Sequence, residues 1–396
     1  MAKKLRIDWF MFAIAAGLAL FGAVMVYSAS AMISLKESAD NPNGATQFTY
    51  FFKQFGFTLA GLAVMYATSR VPYHWYQNKT VVYGLLILTA VLLLAVFGFP
   101  AINGARRWIR FPGFSFQPSE IAKVAVPVFL AYFLTKNEKT IADLKETLLP
   151  CAGVLIGLCG LILFEPDLGT VIVLAAVFIV IYFAAGAKML HLVPAIASCV
   201  VVGGFALILS PYRRERVLAF LDPWANADKS AYQVVQGLYA IGSGGVLGEG
   251  FAQGQQKLFY LPYPYSDFIF AVVGEELGLI GTMAVVLAFG LLLWRGTRAA
   301  LNAPDRFGTL LGIGIITGLI TQALFNISVV ISILPAKGIP LPFISYGGSS
   351  IVVTLFAVGI LLNISQHSGF REIKNDEAER MAARKKRGRL SKARAV

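Results

Sequence analysis

Apolar residues fall in long blocks separated by short polar segments. The blocks lie near 10–33, 47–69, 80–100, 117–135, 147–164, 168–187, 189–210, 268–294, 307–331 and 347–366. Each is long enough as a helix to cross ~30 Å of hydrocarbon. The pattern predicts an all-α polytopic membrane protein with about ten transmembrane helices. Its least distinct boundary is EPDLG (165–169), which divides the fifth block from the sixth. The first run, Ile7 to Ile33, is too long for a signal peptide and reads as the first span. An even number of spans puts both ends on one side. Both ends are basic, with Lys3, Lys4 and Arg6 at one and RKKRGR (384–389) at the other, so both are expected in the cytoplasm. Residues 1–9 then form a cytoplasmic segment and 10–366 the membrane domain. A long extracytoplasmic loop at about 211–267 joins helices 7 and 8, and 367–396 make a basic tail, disordered or loosely helical.

Composition agrees. The 396 residues are 57% hydrophobic and only 14% charged, against roughly 25% charged in soluble domains. The net charge of +13 does not point to nucleic acid, because the tail Arg371–Arg394 alone holds 10 of the 34 Lys and Arg. Such placement orients the chain against the anionic lipids of the inner leaflet. Two basic clusters lie on the opposite face: Arg106, Arg107 and Arg110 in one loop, Arg213, Arg214 and Arg216 in the longest one. They suit an anionic ligand there; snorkelling to headgroups is the alternative. Cys151, Cys159 and Cys199 lie in apolar helices without metal-ligand spacing and read as packing residues. The chain has no Walker loop, HExxH or Cys/His cluster. Any chemistry therefore runs on an already activated substrate.

The candidate chemistry is densest in KLFYLPYPYSDFIFAVVGEELG (257–278). Asp267 sits where a polar loop meets an apolar helix, with Glu275 and Glu276 about 12 Å further along at ~1.5 Å per residue. Carboxylates at membrane depth are costly. Asp267 reads either as a helix N-cap or as a general base at the rim of a cavity. The glutamates read either as helix-to-helix ties or as substrate-facing groups. In QPSEIAK (117–123), Pro118 opens a helix, and Glu120 and Lys123 share one face. They are expected to neutralise each other, unless Lys123 reaches an anionic substrate. PAKGIPLPFISYGGSS (335–350) offers Lys337, and its Gly347 and Gly348 permit close backbone approach. EPDLGT (165–170) reads as a helix break, with the roles of Glu165 and Asp167 open.

Six motifs in order, NGARRWI (103–109), QPSEIAK, PDLGT (166–170), FLDPW (220–224), DFIFAVVGEELG (267–278) and LPFISYGGSS (341–350), resemble the SEDS family of shape, elongation, division and sporulation proteins. FLDPW, QKLFYLP (256–262) and LPAKGIPLPFISYGGSS (334–350) look more like its cell-division branch than its elongation or sporulation branches. The resemblance implies a peptidoglycan glycosyltransferase that polymerises lipid II at the outer face of the bacterial cytoplasmic membrane, at the division septum. It implies a class B penicillin-binding protein transpeptidase and other membrane proteins of the division machinery as partners. It also places the catalytic aspartate at Asp267. The family's His-Thr before that aspartate is Tyr265-Ser266 here, and Ser115 stands where a basic residue is common.

On that reading Asp267 takes a proton from the acceptor hydroxyl, while Arg107, Arg110, Arg213 and Arg216, with Lys123 or Lys337, hold the pyrophosphate. Phe268 and Phe270 line the lipid entry. Nothing in the sequence requires a cofactor. Three carboxylates beside a diphosphate would suit Mg²⁺ or Mn²⁺, with Asp267 as ligand. A lipid II flippase and a non-catalytic division scaffold remain the rival readings.

Overall fold

The computed structural model describes residues 7–40, 46–101, 104–111, 114–188, 193, 204, 211–227 and 231–367, with side chains omitted at a few of them. The apolar blocks become helices α1 (Trp9–Asp40), α2 (Thr49–Arg70), α3 (Lys79–Ala95), α4 (Pro118–Lys136), α5 (Leu149–Phe164) and α6 (Leu168–Ala184). Helices α7 (Pro211–Leu221) and α8 (Tyr232–Gly244) lie in the long loop, and α9 (Ile269–Leu301), α10 (Arg306–Val330) and α11 (Gly348–His367) follow. Among the described residues, 7 helices are long and apolar enough to cross a membrane, and α6 is a shorter apolar helix. All but residues 193 and 204 of the expected span at 189–210, the first six residues and the tail after residue 367 lie outside the described residues.

Local chemistry sets the helix starts. Pro118 occupies the first turn of α4, where its missing N–H costs nothing. Asn78 accepts the Thr80 N–H at 3.0 Å, Asp167 the Thr170 N–H at 3.1 Å, and Asp305 the Gly308 N–H at 2.8 Å. Helices α4, α10 and α11 form the interior of the bundle, lined by buried residues such as Leu130, Leu134, Leu311, Val358 and Leu361. Small residues bring these helices together. A Cβ at Gly314 would lie 2.4 Å from Ile181 and 2.9 Å from Pro127, joining α10 to α6 and α4.

Two features depart from the sequence expectation. A short hairpin, β1 (Ile109–Phe111) paired with β2 (Phe114–Phe116), sits between α3 and α4 where no strand was expected. The eighth block is not one continuous span: α9 breaks at Gly278, whose φ of 63° and ψ of −160° are open essentially to glycine alone. The break lets the 245–250 loop bond the freed backbone, with Glu249 N donating to Glu275 O at 2.9 Å and Leu279 N to Gly245 O at 2.9 Å. A Cβ on Gly278 would meet the Gly248 nitrogen at 2.4 Å. Gly278→Ala is therefore expected to destabilise the protein by more than the ~1–3 kcal/mol of the backbone strain. Thermal melts in detergent check this against Gly290→Ala, whose Cβ would meet nothing within 4 Å.

Candidate functional site

Asp267 lies just before α9, in a segment fixed from behind. Tyr346 N donates to Tyr265 O at 2.9 Å, Ser345 Oγ to Ser266 O at 2.6 Å, and Asn326 Nδ2 to Asp267 O at 2.8 Å. Three successive carbonyls are thus taken by α10 and the loop before α11. The capping reading of Asp267 is set aside: α9 starts at Ile269, and Phe268 at its cap position makes no side-chain cap.

A strap at 335–340 crosses the aspartate. Arg216 Nη1 donates to Ala336 O at 3.1 Å, Asn326 Nδ2 to Ile339 O at 2.7 Å, and Gln322 Nε2 to Pro340 O at 2.8 Å. Between these anchors a Cβ at Gly338 would stand 2.8 Å from Asp267 Oδ2, so glycine there keeps the carboxylate approachable.

Asp267 opens into a cavity of about 800 Å³. Arg107, Lys123, Arg216, Lys337 and Gly347 line it together with Asp267, Asp167, Gln117 and Gln322. Arg107 Nε donates to Glu165 O at 2.9 Å and its Nη2 to Pro166 O, which holds the guanidinium at the cavity wall. Burial pushes the Asp267 carboxyl up to about 6, and the Asp167 charge adds to this; Arg107 and Arg216 pull the other way. Asp267 is consequently ionised at neutral pH yet a better base than an exposed aspartate. At the floor, Lys123 Nζ lies 2.8 Å from Glu120 and donates to Gln322 at 2.7 Å.

The helix break at EPDLGT occurs as expected, and both of its acids are buried. Asp167 accepts from Thr170 N, Thr170 Oγ1, Gln117 Nε2 and Ser119 Oγ. Glu165 is fully buried with no hydrogen-bond partner on either carboxylate oxygen. Burial, with the Asp167 charge behind it, pushes Glu165 up to about 8, so it carries its proton at neutral pH.

Several expected site residues lie elsewhere. Arg110 is exposed on the hairpin and is not among the cavity's lining residues. Arg213 belongs to α7, and its side chain lies outside the described residues. Gly348 does approach a neighbour closely, but that neighbour is the Phe57 ring, 2.6 Å from where a Cβ would be. Phe268 lines the cavity while Phe270 is buried apart from it.

The idea of three carboxylates around one entrance fails. Glu275 accepts from Gln255 N at 2.6 Å and Gln256 N at 2.9 Å, and Glu276 bonds Lys257 Nζ at 2.5 Å and Ser28 Oγ at 2.5 Å. Both glutamates tie down the 245–257 loop. Among the described residues no three His, Cys, Asp or Glu side chains converge to hold a metal.

Sequence reading missed Asn326 and Gln322, which position the aspartate and the strap. Their signal was present: two amide side chains four residues apart on one face of an otherwise apolar helix.

A family model described as cell cycle protein, spanning the FtsW, RodA and SpoVE proteins, matches residues 8–369. The "Probable peptidoglycan glycosyltransferase FtsW" of Geobacter metallireducens is 41% identical over 365 residues, 91% of this chain and 95% of that protein. Stage V sporulation protein E of Bacillus subtilis is 40% identical over 374 residues, covering 93% of this chain and 99% of that one. Among solved structures, a chain of a peptidoglycan synthase complex that coordinates polymerization and crosslinking superposes with a TM-score of 0.73 at 27% identity, covering 92% and 99% of the two chains. The rod shape determining protein RodA of Thermus thermophilus gives a TM-score of 0.66 at 27% identity, covering 91% and 97%.

Proposed function

The chain belongs to the SEDS family of FtsW, RodA and SpoVE proteins, and from that premise we propose that its cavity joins lipid-linked sugars, with Asp267 as the base. The activity is peptidoglycan glycosyl transfer. The substrate is lipid II, whose disaccharide carries its own activation as a diphosphate.

Transfer needs a base beside the acceptor hydroxyl and fixed positive charge around the departing diphosphate. Asp267 takes the proton of the acceptor sugar's 4-hydroxyl. That oxygen bonds to C1 of the donor, and the C1–O bond to phosphate breaks. The electron pair leaves on the lipid diphosphate, which Arg107 and Arg216 receive, with Lys337 on the strap as a further cation. Lys123 is engaged by Glu120 and Gln322 and shapes the floor. The observation that carries the reading is the Asp267 carboxylate, raised in pKa, sharing a cavity of about 800 Å³ with two guanidiniums. A divalent cation such as Mg²⁺ or Mn²⁺, held by Asp267 where the reaction uses one, would add positive charge beside the departing diphosphate.

The reading includes ten spans, with both termini cytoplasmic and the cavity opening outward, as the basic tail and long 211–267 loop suggest. It places the protein at the septum of a dividing bacterium among division membrane proteins. Its partner is a class B penicillin-binding transpeptidase, because uncrosslinked glycan bears no load; a superposed relative comes from a synthase complex.

Purified protein with such a partner, given lipid II in vesicles, is expected to yield glycan ladders on gels. Gly338→Ala, whose methyl would crowd Asp267 Oδ2, is expected to cut polymerisation at least ~10-fold while the protein stays folded. Lipid II translocation without polymer would instead support the flippase.

A further inference from the structure

We infer that Gln54 of α2 is a positioning residue for Asp267, acting through the 345–347 loop that grips the backbone in front of the aspartate. The inference rests on the base role proposed for Asp267 and names what sets its place.

The residue type gives the first reason. Gln54 lies in the second turn of α2, an otherwise largely apolar helix, and is fully buried. A polar side chain inside a membrane bundle costs free energy unless it is hydrogen-bonded, because water is scarce there. Leucine or methionine would fill similar space without that cost.

The amide is engaged at both ends with one loop. Its Nε2 donates to Ser345 O at 3.3 Å, and its Oε1 accepts from Gly347 N at 3.2 Å. One side chain thus brackets Tyr346 in the manner of a neighbouring strand.

The same three residues reach the site. Tyr346 N donates to Tyr265 O at 2.9 Å and Ser345 Oγ to Ser266 O at 2.6 Å, while Gly347 lines the cavity. Those two carbonyls are therefore placed by a loop that α2 places. The next one, Asp267 O, is held from α10 by Asn326.

Packing along α2 repeats the arrangement. Tyr50, one turn before Gln54, packs its ring against Tyr265 at 5.0 Å and Tyr346 at 5.2 Å. Phe57, one turn after, meets Gly348, where a Cβ would lie 2.6 Å from the ring. A Cβ at Gly61 would lie 2.6 Å from Leu355 of α11. Residues 50, 54, 57 and 61 share one helical face, so α2 cradles the 345–355 segment along a single stripe.

Asn363 supplies the comparison. It is also a buried amide that bridges backbone, accepting from Tyr73 N at 2.8 Å and donating to Ser69 O at 2.8 Å. It lies about 22 Å along α11 from Gly348, at ~1.5 Å per residue. Neither Ser69 nor Tyr73 lines the cavity.

The test uses full-length protein with its transpeptidase partner, given lipid II. Gln54→Met keeps the bulk of the side chain and removes both bonds. It is expected to fold, to lower kcat about 10–100-fold and to leave KM within about 2-fold, as displacement of a base does. Asn363→Met also loses an amide bridge; its melting temperature should fall at least as far, but its kcat should stay within about 2-fold of wild type. Ser345→Ala breaks the next link and should lower kcat too. The Gln54→Met, Ser345→Ala double variant should then lose no more than the larger single loss, because both act through one loop.

A wild-type kcat in Gln54→Met, an equal kcat loss in Asn363→Met, multiplied losses in the double variant, or a Gln54→Met chain that fails to fold would each overturn the inference. Asp267→Asn serves as the separate control. Wild-type turnover in that variant defeats the base assignment itself, whereas an inactive Asp267→Asn beside a kinetically normal Gln54→Met defeats the positioning role alone.

Discussion

Asp267→Asn is expected to lower lipid II polymerisation by ~10²–10⁴-fold, the usual share of a positioned general base. The amide keeps the shape of the side chain and its place behind the strap, but it cannot accept the proton. The same substitution should not weaken the fold. Burial raises this carboxyl to about 6 from an ordinary value of 3.8. The folded protein thus holds the proton more tightly than the unfolded chain, and stability falls as pH rises from about 4 to about 6 and stays reduced above that. At pH 8 the neutral amide escapes this cost, so Asp267→Asn should melt no lower than wild type. In the wild type, polymerisation should rise with pH through about 6 and then level, as the base loses its proton. A melting curve and a pH–rate profile on the same preparations check both halves. An inactive variant that has also unfolded would remove the argument for chemistry.

The largest expected effect on stability lies elsewhere. Lys257 and Glu276 form an ion pair at 2.5 Å with side-chain exposures of 5% and 0%, and Ser28 of α1 bonds both partners. Glu276 Oε2 also accepts the Ala252 N–H at 3.0 Å. This cluster joins the first helix, the 245–257 loop and the half of α9 before the break. Lys257→Met leaves a buried carboxylate unpaired and is expected to cost ~3–5 kcal/mol. Lys257→Met combined with Glu276→Gln removes both charges and should recover most of that loss. Thermal melts of the two variants check the ordering; equal destabilisation would mean that packing, rather than the uncompensated charge, carries the effect.

The helical blocks among the described residues were legible because each shows as an apolar run, a signal that survives without knowledge of neighbours. Asp267 stood out for a related reason, as a charge at the edge of such a run. The partners of Glu275 and Glu276 were not legible. Adjacency in sequence suggested a common site with Asp267, but the break at Gly278 and the loop folded over it give both glutamates backbone and lysine partners on the other side. The separation of Arg107 from Arg110 follows from the hairpin, which turns Arg110 outward while the carbonyls of Glu165 and Pro166 hold Arg107 inward. Those carbonyls are more than fifty residues away in sequence, and no local pattern announces them. Asn326 and Gln322 fall between these cases: their spacing was visible, but their role depends on which backbone crosses α10.

The central claim is spatial, so a structure of Asp267→Asn with lipid II and an acceptor strand bound tests it most directly. The account predicts the acceptor 4-hydroxyl within about 2.6–3.2 Å of the residue-267 side chain and the diphosphate against Arg107 and Arg216. A diphosphate seated away from both arginines, or an acceptor hydroxyl out of reach of residue 267, would contradict it.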